Sequence, residues 1–154
     1  MHKLLLIVTL LLYSLPSLAK VFSEAQLTEL ANAFVAAKNA RQQPDTDIED
    51  IDHYLSLLAD TFIDEHIKYN VVINSKTELR NSLIAKMADK VIFSSIRIVE
   101  KMVGSNVVFI KMIEVGKVKP SHSSKVIDYE SANIVSLEFN DKGLIKHIRR
   151  HHGF

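Results

Sequence analysis

Apolar positions recur along this chain with two different periods, and the change of period divides it into two halves. From Ser23 onward, Leu27, Leu30, Phe34 and Ala37 return at helical spacing, and Ser23-Glu24-Ala25-Gln26 has the form of a capping box, so a first helix is predicted from Glu24 to Arg41. Gln42-Gln43-Pro44-Asp45 ends it. Ile51, Tyr54, Leu55 and Leu58 make one stripe of a second helix, Ile48 to Ala59, after which Asp60 to His66 leaves the helix and leads to a short extended piece, Tyr69 to Ile73. Ser75-Lys76-Thr77-Glu78 is a second box, opening a helix in which Leu79, Leu83 and Met87 share a face.

After Asp89 the period becomes two. Val91–Val103, Val107–Lys119, Lys125–Phe139 and Leu144–His151 are rich in Val, Ile and Phe. They are separated by Gly104-Ser105-Asn106, by Pro120 to Ser124 and by Asn140-Asp141-Lys142-Gly143. These read as strands joined by hairpin turns. Three helices followed by a long meander predict an α+β domain whose curved antiparallel sheet wraps the helices, with a core between them and a pocket at the open end.

The first residues follow neither period. Met1 to Lys3 is a short basic start, Leu4 to Leu12 a continuous apolar run, and Ser17-Leu18-Ala19 offers small residues where a signal peptidase cuts. The run is shorter than the roughly 20 residues that a bilayer requires. Residues 1–19 are therefore expected to be a cleaved signal peptide, with export to a periplasm or the exterior, no stable membrane span after cleavage, and a single domain over residues 20–154.

Composition narrows the chemistry. Removing Lys3 from 19 basic residues leaves 18 against 18 acidic ones, a balance that argues against nucleic-acid binding. The charges are segregated, however: residues 23–65 hold ten acids against Lys38 and Arg41, while the C-terminus gathers Lys142, Lys146, Arg149 and Arg150 with His147, His151 and His152. Two solvated faces, or complementary surfaces for dimerisation, would both produce this pattern. The absence of cysteine excludes a lipid anchor, a disulfide framework and a thiol nucleophile; no G-x-S-x-G or phosphate-cradling glycine loop is present. His147 and His151 have the spacing of a helical zinc site, but on a strand that spacing is roughly 13 Å, so no metal is expected. Nor does any motif call for a cofactor. His53 and His122 are expected in solvent. His66 follows Asp64 and Glu65 where helices meet sheet, and a carboxylate neighbour there would raise its basicity.

Phe34-Val35-Ala36-Ala37-Lys38-Asn39-Ala40, Leu57-Leu58-Ala59-Asp60 leading to His66, and Phe139-Asn140-Asp141-Lys142-Gly143-Leu144-Ile145 with Ile148-Arg149 resemble the nuclear transport factor 2-like superfamily, nearest its SnoaL-like and ketosteroid isomerase-like branches. The resemblance covers nearly all of residues 23–153. It implies a cone-shaped α+β barrel with a deep apolar pocket, often in a homodimer built through the sheet. Its members include isomerases, polyketide cyclases, epoxide hydrolases, dehydratases and non-catalytic binding or assembly modules, so the fold alone does not choose a function.

Carried over residue by residue, the resemblance places His66 where the isomerases have their catalytic aspartate, Phe34 at their oxyanion-hole tyrosine and Val135 at the protonated aspartic acid beside it. Neither Phe34 nor Val135 can donate a hydrogen bond, and each lost donor costs roughly 3 kcal/mol of transition-state stabilisation, which argues against steroid isomerisation. Ile148 and His152 are sent to the pocket side of the last strand, and alternation puts Tyr129, Ser131 and Asn133 on the side of Val135. Three functions fit: a binding protein for a small, largely apolar molecule; an isomerase, cyclase or dehydratase with His66 as general base and Asp64 or His152 supporting it; or an envelope assembly subunit using the two charged surfaces.

Overall fold

The computed structural model describes residues 21–153, so the expected signal peptide lies outside the described residues. Helix α1, Glu24–Ala40, starts as its sequence predicts: Ser23 Oγ accepts from Gln26 N while the Gln26 side chain accepts from Ser23 N. Helix α2, Ile48–Ser56, has an equivalent reciprocal cap between Asp47 and Asp50, and α3, Lys76–Lys86, is capped by Ser75. Four long or medium strands follow α3: β3 (Lys90–Gly104), β4 (Val107–Lys119), β5 (Ile127–Phe139) and β6 (Ile145–Arg150).

The second helix is shorter than its apolar stripe suggests. It stops at Ser56, and Leu58–His66 is strand β1, followed by a 3-10 turn at Ile67–Tyr69 and a short strand β2, Val71–Ile73. Strand β1 pairs parallel with β6, and the six strands run β2-β1-β6-β5-β4-β3. The sheet is thus mixed rather than purely antiparallel, and it is not closed: β2 and β3 are its edges. Sequence periodicity missed β1 because a bulge between Leu58 and Ile63 interrupts its alternation. Leu58, Phe62 and Asp64 nonetheless all point inward and are buried.

Helices α1 and α2 lie across the concave face. Leu27, Ala31 and Phe34 of α1 and Ile51 and Tyr54 of α2 meet every second residue of the central strands: Val108, Ile110 and Met112 of β4, Val135, Leu137 and Phe139 of β5. Bulges in β3 at Val91/Phe93 and Ile98/Glu100 help bend the long edge strand around this core. The last hairpin is set by Asn140, whose side chain accepts from Lys142 N and Leu144 N, and by Gly143, whose φ of 78° favours a residue without Cβ.

The segregated charges find each other inside one molecule. Because β1 and β6 are neighbours, Glu65 accepts from Arg149 at 2.7 Å and lies 3.1 Å from His147, while Asp64 takes Arg150. Lys146 lies 3.5 Å from Glu138 on β5. The last two acids of the acidic segment, Asp64 and Glu65, thus meet the basic strand β6 within one sheet, while most of the others lie on α1 and α2 or between them.

Candidate functional site

The apolar stripes run out at one end of the sheet, and a cavity of about 1150 Å³ opens there between α1, α3 and the concave face. One wall is apolar, formed by Ile73, Leu79, Leu83, Met87, Val91 and Val118. Its base is charged. Arg150 Nε and Nη2 donate to Asp64 Oδ1 and Oδ2 at 2.7 and 2.8 Å, and Nη2 also reaches Tyr54 Oη at 3.3 Å. Both members of this pair are buried. Beside it Lys38 Nζ donates to Glu114 Oε2 at 2.7 Å and to Gln42 Oε1 at 3.2 Å, and Asn133 Nδ2 donates to Glu114 Oε1. Burial pulls Lys38 down to about 8, with Glu114 opposing that shift.

His66 lies beside this network, its Nε2 3.7 Å from Asp64 Oδ1, and its ring faces that of His152 with centroids 5.4 Å apart. His152 in turn meets the edge of Tyr69 at 4.9 Å. The expected gain in basicity at His66 does not occur. Desolvation and then the Arg150 charge lower its pKa, and outweigh Asp64, whose two oxygens are already engaged by Arg150. Burial, then Arg150, lowers His152 as well. Both imidazoles are accordingly neutral near pH 7.

Of the residues singled out in sequence, Asp64, His66, Tyr129, Asn133, Val135 and His152 line the cavity. Phe34 and Ile148 do not; they are fully buried in the core below it. Tyr54, whose ring packs on Phe34 at 5.7 Å, lines the cavity in its place. His152 reaches inward with φ 47°, and the ladder to β5 continues around it through His151 N to Ile134 O and Gly153 N to Ala132 O. Tyr129 occupies space left by Gly116 directly opposite: a Cβ there would stand 2.5 Å from the phenol oxygen. His53 and His122 are exposed, as expected.

Sequence reasoning does not place Lys38, Arg41, Glu114 and Arg150 in the site, although three of these positions carry a signal. Lys38 continues the stripe Leu27, Ala31, Phe34; Glu114 continues Ile110, Met112; Arg150 continues Ile148. A charge at the next position of an apolar stripe points inward like its predecessors. The apolar pocket that the resemblance implies is therefore an amphipathic one here. Among the described residues no group of three or more His, Asp or Glu side chains is placed to hold a metal ion.

No family model matches the sequence, and no curated protein matches it. Solved structures do match its shape. A protein of Shewanella putrefaciens CN-32 described as a SnoaL-like polyketide cyclase superposes with a TM-score of 0.67 at 14% identity, over 82% of this chain and 79% of that one. An M. tuberculosis LEH-like epoxide hydrolase gives 0.62 at 14% identity over 84% of each chain. A nuclear transport factor 2-like protein from Exiguobacterium gives 0.63 at 10% identity, covering 80% of this chain and 98% of that one. The chain has the nuclear transport factor 2-like fold, a cone-like α+β arrangement in which an open mixed sheet holds helices on its concave side.

Proposed function

We propose that this protein is exported and binds a small organic molecule in the cavity without transforming it. The observation that carries this reading is the roomy cavity whose two carboxylates at the base are already committed: Asp64 to Arg150, Glu114 to Lys38 and Asn133. Such a site offers surface and fixed charge rather than a free acid and base. The basic start, apolar run and small-residue cleavage site of residues 1–19 support export, to a periplasm or the exterior. Native mass spectrometry of the protein purified from that compartment should show a stoichiometric small-molecule adduct; a clean apo mass, with no ligand retained from a small-molecule panel, would end the proposal.

A second reading is favoured by one observation. His66 faces the cavity as a neutral imidazole, which is the form a general base requires, in an isomerisation, cyclisation or dehydration. On a substrate related to the recovered adduct, His66→Ala should then lower turnover by roughly 100-fold or more. Unchanged turnover would remove His66 from the chemistry. A homodimer through the outer face of the sheet accompanies either reading, supported by the exposed Met102, Phe109 and Ile134 on adjacent strands. A non-catalytic assembly subunit of the envelope would need free charged faces, and the pairing of β1 acids with β6 bases favours it less.

A further inference from the structure

We propose that the cavity selects amphipathic monocarboxylates, with Arg41 receiving the carboxylate and the apolar wall receiving the rest of the molecule; this rests on the small-molecule reading above. Arg41 follows the last turn of α1, where its backbone N–H closes on Ala37 O. Its guanidinium carbon lies over the Tyr54 ring, 4.4 Å from the centroid, and the residue lines the cavity. Stacking on an aromatic face leaves the edge of the guanidinium, with its fork of N–H groups, free for a planar acceptor.

No carboxylate among the described residues lies within ion-pair distance of the Arg41 guanidinium. Its Nε is shielded and without a hydrogen-bond partner, so a ligand in the cavity would be met by the terminal Nη groups. Three cations, Lys38, Arg41 and Arg150, are clustered closely enough that Arg41 and Arg150 both disfavour the charge on Lys38. Only two carboxylates, Asp64 and Glu114, stand among them, and each is bound to Arg150 or Lys38. Of these three cations Arg41 is the one without a counter-charge among the described residues, in a lining that also carries Lys68, Lys86 and Lys90 and, further along, Asp89 and Glu130.

A planar carboxylate matches the geometry of the guanidinium. His152 also lines the cavity, with its Nε2 shielded and without a partner. The wall of Ile73, Leu79, Leu83 and Met87 then supplies the apolar contact that a simple carboxylate such as acetate could not use.

The test is calorimetric titration at pH 7.5 with two matched pairs, octanoate against octan-1-ol and 4-tert-butylbenzoate against 4-tert-butylbenzyl alcohol. At least one acid should bind roughly 10- to 100-fold more tightly than its alcohol, the range expected for a charge-assisted bidentate contact. Arg41→Gln should erase that preference while leaving the alcohol's affinity within about two-fold, and Arg41→Lys should keep only part of it because the fork is lost. If the alcohols bind as well as the acids, or if Arg41→Gln leaves the preference intact, the carboxylate assignment is wrong while the binding function stands. If neither member of either pair binds a folded wild-type protein and no adduct is retained from its own compartment, the binding function itself fails.

Discussion

Asp64 and Arg150 illustrate why single residues in this site are unequal to their surface counterparts. A buried ion pair contributes little net stability relative to apolar replacements, yet removing one partner strands the other charge in a poorly solvated place. Arg150→Met should therefore cost about 3–5 kcal/mol, whereas Asp64→Leu combined with Arg150→Met should recover most of that loss. Urea denaturation of the two variants would check it; a double variant as unstable as the single one would contradict the assigned pairing. The histidines give a pH-dependent counterpart. Because the folded-state pKa values of His66 and His152 are depressed, the unfolded chain takes up protons first as pH falls below about 6.5. Their contribution to stability is present above that pH and is lost as pH falls through the lowered values. Thermal melts from pH 8 to pH 5 should show stability decreasing on the acid side, and His66→Gln should flatten that slope.

At the scale of elements, the site exists because several apolar stripes end in charges at the same level. The α1 stripe ends in Lys38, β1 in Asp64, β4 in Glu114 and β6 in Arg150. Lys38, Glu114 and Arg150 were legible locally as charges at inward positions. Which charge meets which was not, because pairing depends on β1 lying parallel to β6, a contact between segments more than 80 residues apart. Strand β1 was itself the least legible element, hidden by its bulge and by leucines that continue the α2 stripe. The β4–β5 pair has its own constraint at Gly116. Adding a methyl group there forces the rigid Tyr129 ring away, so Gly116→Ala should destabilise the protein by about 1–3 kcal/mol and alter ligand affinity. A melt and titration identical to wild type would show that the ring can move without cost.

For the whole molecule, the outer face of the sheet is the feature that one chain leaves unresolved. Met102 and Phe109 are directly paired across β3 and β4, and Ile134 lies one register step away on β5, all exposed. Such a patch on a sheet face supports the proposed dimer surface. Light scattering should report a dimer, and Phe109→Glu should shift it to a monomer without unfolding it. A wild-type monomer at high concentration would remove the dimer from the proposal. Among the described residues no helix is long and apolar enough to cross a membrane.

Local sequence determined the three helices and their Ser23 and Ser75 caps, the four long strands and their turns, and the inward row containing Asn133 and Val135. These depend on periodicity and on hydrogen bonds between near neighbours, which a chain carries with it. Tertiary structure alone decided that β1 is a strand beside β6, that Phe34 and Ile148 sink into the core while Tyr54 lines the cavity, and that Asp64 serves Arg150 rather than His66. Those outcomes depend on which distant charges share a desolvated site, and Coulomb energy and desolvation act on distances in space that no spacing along the chain encodes.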